Sequence, residues 1–307
     1  MKNIKFYLLI IIGFLSTLNS QSQIQVLTGI ENGSYFQQAL DMNKLLPQQN
    51  KLNGTDSIML DFLDIRSSAG SNINFDLLVD EQHPAKAAMM QIDVLLLKRT
   101  EDLIHETHLT EDLLILMPLC MEEIHLVSKE GNNITGIESL EGKTVGIGTR
   151  SEGSYSTALR IQNSSKIPWI NKNLSSQEAL KYLLLDRIDA FFILGSAPLK
   201  LLNINPLASP MTLQLTSLEN VNHWADSYQA AVISKEKYLW LKTDIQTFSL
   251  SSVVVINKSK LSDQDLEDLK VWRSITIENL EKLKTEGHQS WETVIEEWDS
   301  DIWPLLE

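Results

Sequence analysis

Cys120 is the only cysteine in a chain of 307 residues, so neither an internal disulfide nor a cysteine-based metal cluster can form. A lone cysteine of this kind reads as a small buried apolar side chain. Basic residues are also short: 26 Lys and Arg stand against 40 Asp and Glu, a formal net charge of -14. Binding to nucleic acid or to an anionic membrane depends on Lys and Arg that neutralise phosphate, so this field argues against both partners. Glycine (13) and proline (8) are too sparse for a low-complexity linker, and the sequence shows no internal repeat. Beyond the N-terminal stretch, no apolar run approaches the roughly 20 residues that a membrane-spanning helix needs.

Signatures of catalysis are missing as well. Gly146-Ile147-Gly148 follows a strand-like run, but Ser151 stands where a dinucleotide fingerprint needs its third glycine. In His105-Glu106-Thr107-His108 the histidines are three apart, where a zinc-binding helix places them four apart. The acidic pairs Glu122-Glu123 and Glu296-Glu297 are adjacent, and adjacent side chains on a helix do not face one another. With neither a G-x-S-x-G elbow nor a P-loop lysine, the expectation is a protein that is not an enzyme and uses no metal and no cofactor. A catalytic reading would need an acid or base in a cleft, with Glu31, Glu152 and Asp93 as the candidates.

What is present begins at the N-terminus. Lys2 and Lys5 precede the apolar run Phe6–Leu15, followed by the small and polar stretch Ser16–Gln23, the layout of a signal peptide over residues 1–23. Cleavage near Ser20–Gln23 leaves no cysteine at the new end, so the expected product is periplasmic and carries no lipid anchor. Losing Lys2 and Lys5 takes the charge from -14 to -14 - 2 = -16.

Along the remaining chain, short β-rich runs at Ile24–Thr28, Ser57–Ile65, Ile124–Ser128, Thr144–Gly148, Ala190–Leu194 and Ser252–Ile256 alternate with helical patterns. Alternation of this kind implies βαβ units and an α/β fold with largely parallel sheets. Ser175 with Glu178, and Ser262 with Asp265, form capping boxes that open two helices, the second running toward Leu283. Trp272, Trp291, Trp298 and Trp303 fall among aliphatic residues at helical spacing and read as core.

Four strand-like runs end in loops of small and hydroxyl residues ahead of a helical stretch: Gly29–Phe36, Arg66–Asn72, Thr149–Tyr155 and Gly195–Pro198. Each offers unpaired backbone N–H groups and the positive end of a helix dipole, which is how an α/β scaffold holds a carboxylate or phosphate. Arg66 and Arg150 lie in two of these loops and could grip a carboxylate bidentately, or could pair with nearby Asp64 and Glu152.

The segments Thr28–Phe36, Arg66–Asn72, Met90–Asp93, Glu123–Ser128, Ile137–Gly148 with the loop to Tyr155, and Ile188–Gly195 occur in order through most of the chain. Together they resemble the TAXI family of solute receptors for TRAP transporters, within the NMT1-like superfamily. The resemblance implies a type II periplasmic-binding-protein fold, two α/β lobes with a ligand cleft between them. One lobe is expected over residues 24–126 with 249–307, and the other over 127–248. Carried over by position, the ligand-binding residues are Gly33, Ser34, Tyr35, Ser68, Gly70, Ser71, Gln91, Ser151, Gly153, Ser154, Tyr155, Gly195 and Ser196. The implied ligand is a small carboxylate or glutamate-like amino acid. The implied partner is an integral membrane permease serving a monomeric receptor, and a membrane histidine kinase is the alternative partner of a sensor. Ile30-Glu31-Asn32 and the pair Arg150 and Glu152 depart from the family's small residues. The added acids Glu31 and Glu152 favour an amino acid over a plain dicarboxylate.

Overall fold

In the computed structural model of the protein, residues 23–52, 62–204 and 213–307 are described. The expected signal peptide lies outside them except for Gln23, and so does the Ser57–Asp61 part of the expected second strand. No helix among the described residues is long and apolar enough to cross a membrane.

The chain opens with β1 (Ile24–Leu27), α1 (Ser34–Leu52), β2 (Leu63–Arg66), α2 (Ser71–Val79), β3 (Ala85–Gln91) and α3 (Ile92–His105). Strand and helix alternate because apolar β-formers alternate with amphipathic runs, and each strand returns parallel to the last: β1 pairs in parallel with both β2 and β3. Next come β4 (Leu113–Lys129), β5 (Thr144–Gly146), α4 (Gly153–Ser165), β6 (Ile170–Lys172), α5 (Ser176–Leu184) and β7 (Ala190–Gly195). Here β5 pairs in parallel with β6 and β7. The chain ends through β8 (Leu213–Leu215), β9 (Gln229–Ile233), β10 (Ile245–Asn257), α6 (Asp263–Glu278) and α7 (Leu280–Glu286).

The sheet order is β2-β1-β3-β10-β4-β7-β5-β6, with β8 on β4 and β9 on β10. Two long antiparallel strands join its halves. β4 runs beside β10 over Leu113–Glu123 and beside β7 over Glu123–Ser128. β10 lies on β3 over Ser252–Ile256 and on β9 over Ile245–Ser249. The short strands expected at Ile124–Ser128 and Ser252–Ile256 are thus the ends of strands of 17 and 13 residues.

Both capping boxes form: Ser175 Oγ accepts from Glu178 N–H at 3.3 Å, and Ser262 Oγ from Asp265 N–H at 3.2 Å. The helix opened by Ser262 does not run unbroken toward Leu283, because it ends at Glu278 and Asn279 separates it from α7. The fourth loop also differs from expectation. After Gly195 the chain passes through a cis Ala197–Pro198 peptide into a single 3-10 turn at Lys200–Leu202, with no α-helix there.

Trp272 and Trp291 pack with Met42 and Leu46 in a core beneath α1 and α6. Phe191, Tyr238 and Trp240 form a second core on the far half of the sheet. A third runs continuously from Leu27 and Leu95 to Phe192 and Trp224 and includes Trp303, with Trp298 packed at its edge. Cys120 is buried, its thiol pushed up to about 11 chiefly by burial.

Candidate ligand cleft between the lobes

Parallel strands with helical crossovers bring their C-terminal ends to one edge, and in open α/β sheets ligands sit outside that edge. Here those ends enclose a cavity of about 480 Å³. Its walls come from the starts of four helices: Ser34 and Tyr35 on α1, Ser71 on α2, Gly153 and Ser154 on α4, Ser176 and Gln177 on α5. Gln91 ends β3 and Glu122 lies on β4, while His288 and Gln289 enter from the C-terminal segment and Lys200 from the turn after β7.

The floor is polar and buried. Gln91 Nε2 donates to Glu122 Oε2 at 2.8 Å. Its Oε1 and the Tyr35 hydroxyl are buried without a partner. Burial pushes the Glu122 carboxyl up to about 7, the Gln91 amide opposing it. Burial also raises the Tyr35 hydroxyl, with the nearby Glu122 charge acting in the same direction. Glu122 alternates with Glu123 along β4, so the two point to opposite faces. Glu123 accepts instead from the Ala197 N–H at 2.9 Å. Their adjacency, which separates two side chains on a helix, separates them more completely on a strand and leaves only Glu122 of this pair at the cleft.

At the walls, helix starts differ in what they leave free. The Gly33 N–H donates to Ile30 O and the Gln37 N–H to Gly33 O, so the N–H groups of Ser34 to Phe36 are those without an acceptor inside α1. α4 has no side-chain cap, because the Glu152 carboxylate turns back to accept the Thr149 N–H at 2.5 Å. α2 offers none to a ligand at Asn72 and Ile73, whose N–H groups donate to Ser151 O at 3.1 and 3.2 Å.

The last contact belongs to a belt that joins the two sides of the cleft. Asn72 Nδ2 donates to the carbonyls of Arg150 and Glu152 at 3.1 and 2.8 Å, and its Oδ1 accepts from Ser156 Oγ at 3.0 Å. Behind it, Asp93 Oδ2 accepts from Thr157 Oγ1 at 2.7 Å and Tyr228 Oη at 3.0 Å. On the opposite rim Gln289 Nε2 donates to Pro198 O, and Lys237 pairs with Glu292 at 2.7 Å.

Of the residues expected at the site, Gly33, Ser34, Tyr35, Gly70, Ser71, Gln91, Gly153, Ser154 and Gly195 line the cavity. Six do not. Arg66 is exposed and bonded through Nε to Asp64 at 2.8 Å. Arg150 is exposed, its carbonyl engaged by Asn72. Ser68 ties loop to strand, its Oγ donating to Thr28 O at 2.7 Å. Ser151 gives its carbonyl to α2. Tyr155 packs on the continuous core, and Ser196 Oγ donates to Met121 O at 2.6 Å. The sequence reading also missed Glu122, Lys200, Ser176 and His288. Glu31 is exposed and Asp93 is sealed in the belt, so of the three acids considered only Glu152 reaches the cavity. Among the described residues no group of His, Cys, Asp and Glu could hold a metal ion.

The profile of the NMT1-like family matches residues 26–299. No curated protein matches the sequence. Among solved structures, the chain resembles the substrate-binding protein of an amino acid ABC transporter at a TM-score of 0.52 and 11% identity, covering 87% of this chain and 99% of that one. A protein named as an L-cystine ABC transporter from Listeria monocytogenes gives 0.53 at 11% identity, covering 90% and 100%. The amino acid ABC transporter substrate-binding protein AbpA from Streptococcus pneumoniae, bound to L-arginine, gives 0.50 at 11%, covering 89% and 95%. At such identity the likeness speaks to the fold, which is that of a type II periplasmic binding protein.

Proposed function

The chain belongs to the NMT1-like family, and from that premise and the geometry of its cleft we propose that it is an extracytoplasmic solute-binding receptor, not an enzyme, which captures a small amino acid or carboxylate and delivers it to an integral membrane permease. The observation that carries this reading is the cavity of about 480 Å³ whose floor holds buried polar atoms of Tyr35 and Gln91 without partners. Buried polar groups are ordinarily hydrogen-bonded, so a floor with such atoms unpaired is built for a guest. The cavity has the size of a small-ligand site.

In this reading residues 24–126 with 249–307 form one lobe and 127–248 the other, and the hinge lies where β4 and β10 pass between them. The lining residues from both lobes, with Glu122 and Lys200 added, contact the solute. The amino acid receptors among similar structures support an amino acid ligand. The ordered TAXI-like segments support a TRAP-type permease and a monomeric, periplasmic receptor freed by cleavage of residues 1–23. Native mass spectrometry of protein purified without refolding is the direct test, since a cleft of this kind retains its solute. A copurified small mass, with a melting temperature that rises on adding the same compound, is the expected result. A panel of amino and organic acids that leaves the melting temperature unmoved, with no copurified mass, would overturn it.

A further inference from the structure

The acceptors on the cleft floor define the chemistry of the solute. Glu122 is 3% exposed, lines the cavity, and receives a hydrogen bond from Gln91 Nε2. The charges that act on it are those of other carboxylates, Asp93 and Glu123. Because the Gln91 amide nitrogen is turned to the carboxylate, its Oε1 lies against Gly153 and has no donor, although Gln91 is only 4% exposed. The Tyr35 oxygen, on a side chain 8% exposed, is likewise unpartnered. A carboxylate, an amide oxygen and a phenol oxygen make three acceptors, and an ammonium group presents three N–H donors and no acceptor.

We infer that the cleft takes a small molecule bearing a primary ammonium group, held by Glu122, Gln91 Oε1 and Tyr35 Oη, and that Glu122 determines this specificity. The inference rests on the receptor reading above. Of the other acids, Glu31 is exposed, and Glu152, which also lines the cavity, has its Oε2 turned to the Thr149 N–H and stands apart from the bonding of the floor, where Gln91 Nε2 donates to Glu122. Lys200 and the starts of α1 and α4 line the same cavity, and a cation with helix N–H groups that have no intrahelical acceptor suits an anionic group. Acceptors and donors lining one cavity suit a zwitterion.

Isothermal titration and thermal-shift measurements at pH 8 test this with the 20 common L-amino acids, their N-acetyl derivatives, the matching 2-oxo acids, simple dicarboxylates and aliphatic diamines. At least one amino acid is expected to bind at least about tenfold more tightly than both its N-acetyl and 2-oxo counterparts, the scale of one lost charge-assisted hydrogen bond. Glu122→Gln, folded by circular dichroism, is expected to weaken that amino acid by at least about tenfold. A 2-oxo acid that binds as tightly as its amino acid, or a Glu122→Gln protein of unchanged affinity, overturns the inference and leaves the receptor standing. Silence across the whole panel overturns both. If Glu122→Gln does not fold, the comparison of amino, acetylated and oxo compounds on the unaltered protein decides alone.

Discussion

Glu122 is a carboxyl raised by burial to about 7 from an ordinary 4.5, and His125, three residues on, is an imidazole lowered by burial to about 4 from 6.5. The groups around Glu122 are Tyr35 from α1, Gln91 from β3, Asp93 from α3, and Cys120 and Glu123 from β4 itself; none is a cation. His125 is held neutral between the Glu123 carbonyl at 3.0 Å on Nδ1 and the Tyr238 hydroxyl at 3.0 Å on Nε2. The two groups pull the stability of the ligand-free protein in opposite directions. Between pH 4.5 and 7 the folded Glu122 binds its proton more tightly than the unfolded one, so its contribution falls as pH rises. Between pH 4 and 6.5 the unfolded His125 binds the extra proton, so its contribution rises with pH. Each amounts to something on the order of 3 kcal/mol. In Glu122→Gln the acid's contribution is gone. The variant should melt several degrees above the parent at pH 8, lose that advantage by about pH 4.5, and show the rising limb of His125 between. Melting curves of both proteins across this range check it, and an offset that does not change with pH would refute it.

Among the elements, the start of α4 is the most tightly placed. A Cβ on Gly153 would stand 1.6 Å from Gln91 Oε1 and 2.6 Å from its Cδ, and 3.1 Å from Ser71 Oγ. Gln91 cannot swing aside without releasing Glu122, so Gly153→Ala forces the α4 loop away from β3 and α2 or breaks the floor. Ligand affinity should fall by at least about tenfold while the far-UV circular dichroism stays the same, because the strain falls between elements and not within α4, where alanine is the better helix former. Titration of the variant with the wild-type ligand measures this; an unchanged affinity would mean that the cleft works without this approach. The same elements show what could be read in advance. The two capping boxes, the helices that follow the loops at Gly29–Phe36, Arg66–Asn72 and Thr149–Tyr155, and the parallel strands were legible because each rests on local chemistry, although the helices begin inside those loops, at Ser34, Ser71 and Gly153. β3 was not, since Ala85–Gln91 is a run of alanine, lysine and methionine with no two-residue alternation, and its place between β1 and β10 is set by burial alone. Glu122 was hidden for a related reason. Its role depends on which face of a strand it occupies, and the strand's full length from Leu113 to Lys129 is fixed by partners far along the chain. Arg66 and Arg150 had the right chemistry and the right loops, but loop position does not fix side-chain direction.

At the scale of the whole molecule, two features bind the lobes into one unit. β4 and β10 each contribute to both halves of the sheet, and one apolar core runs unbroken from Leu27 to Trp224. The belt of Asn72, Asp93, Thr157 and Tyr228 adds polar contacts whose loss would strand buried groups. A lobe that unfolded alone would expose that core and leave long strand edges unpaired. The protein is therefore expected to unfold in one cooperative transition, with calorimetric and van't Hoff enthalpies equal, although a bilobal shape invites two. Ligand at about 100 times its dissociation constant adds roughly 2.7 kcal/mol to that transition, moving it upward by about 5–10 °C as a single peak. Differential scanning calorimetry with and without the ligand settles the point. Two resolved transitions, only one of them moving with ligand, would show that the shared strands and core do not couple the lobes.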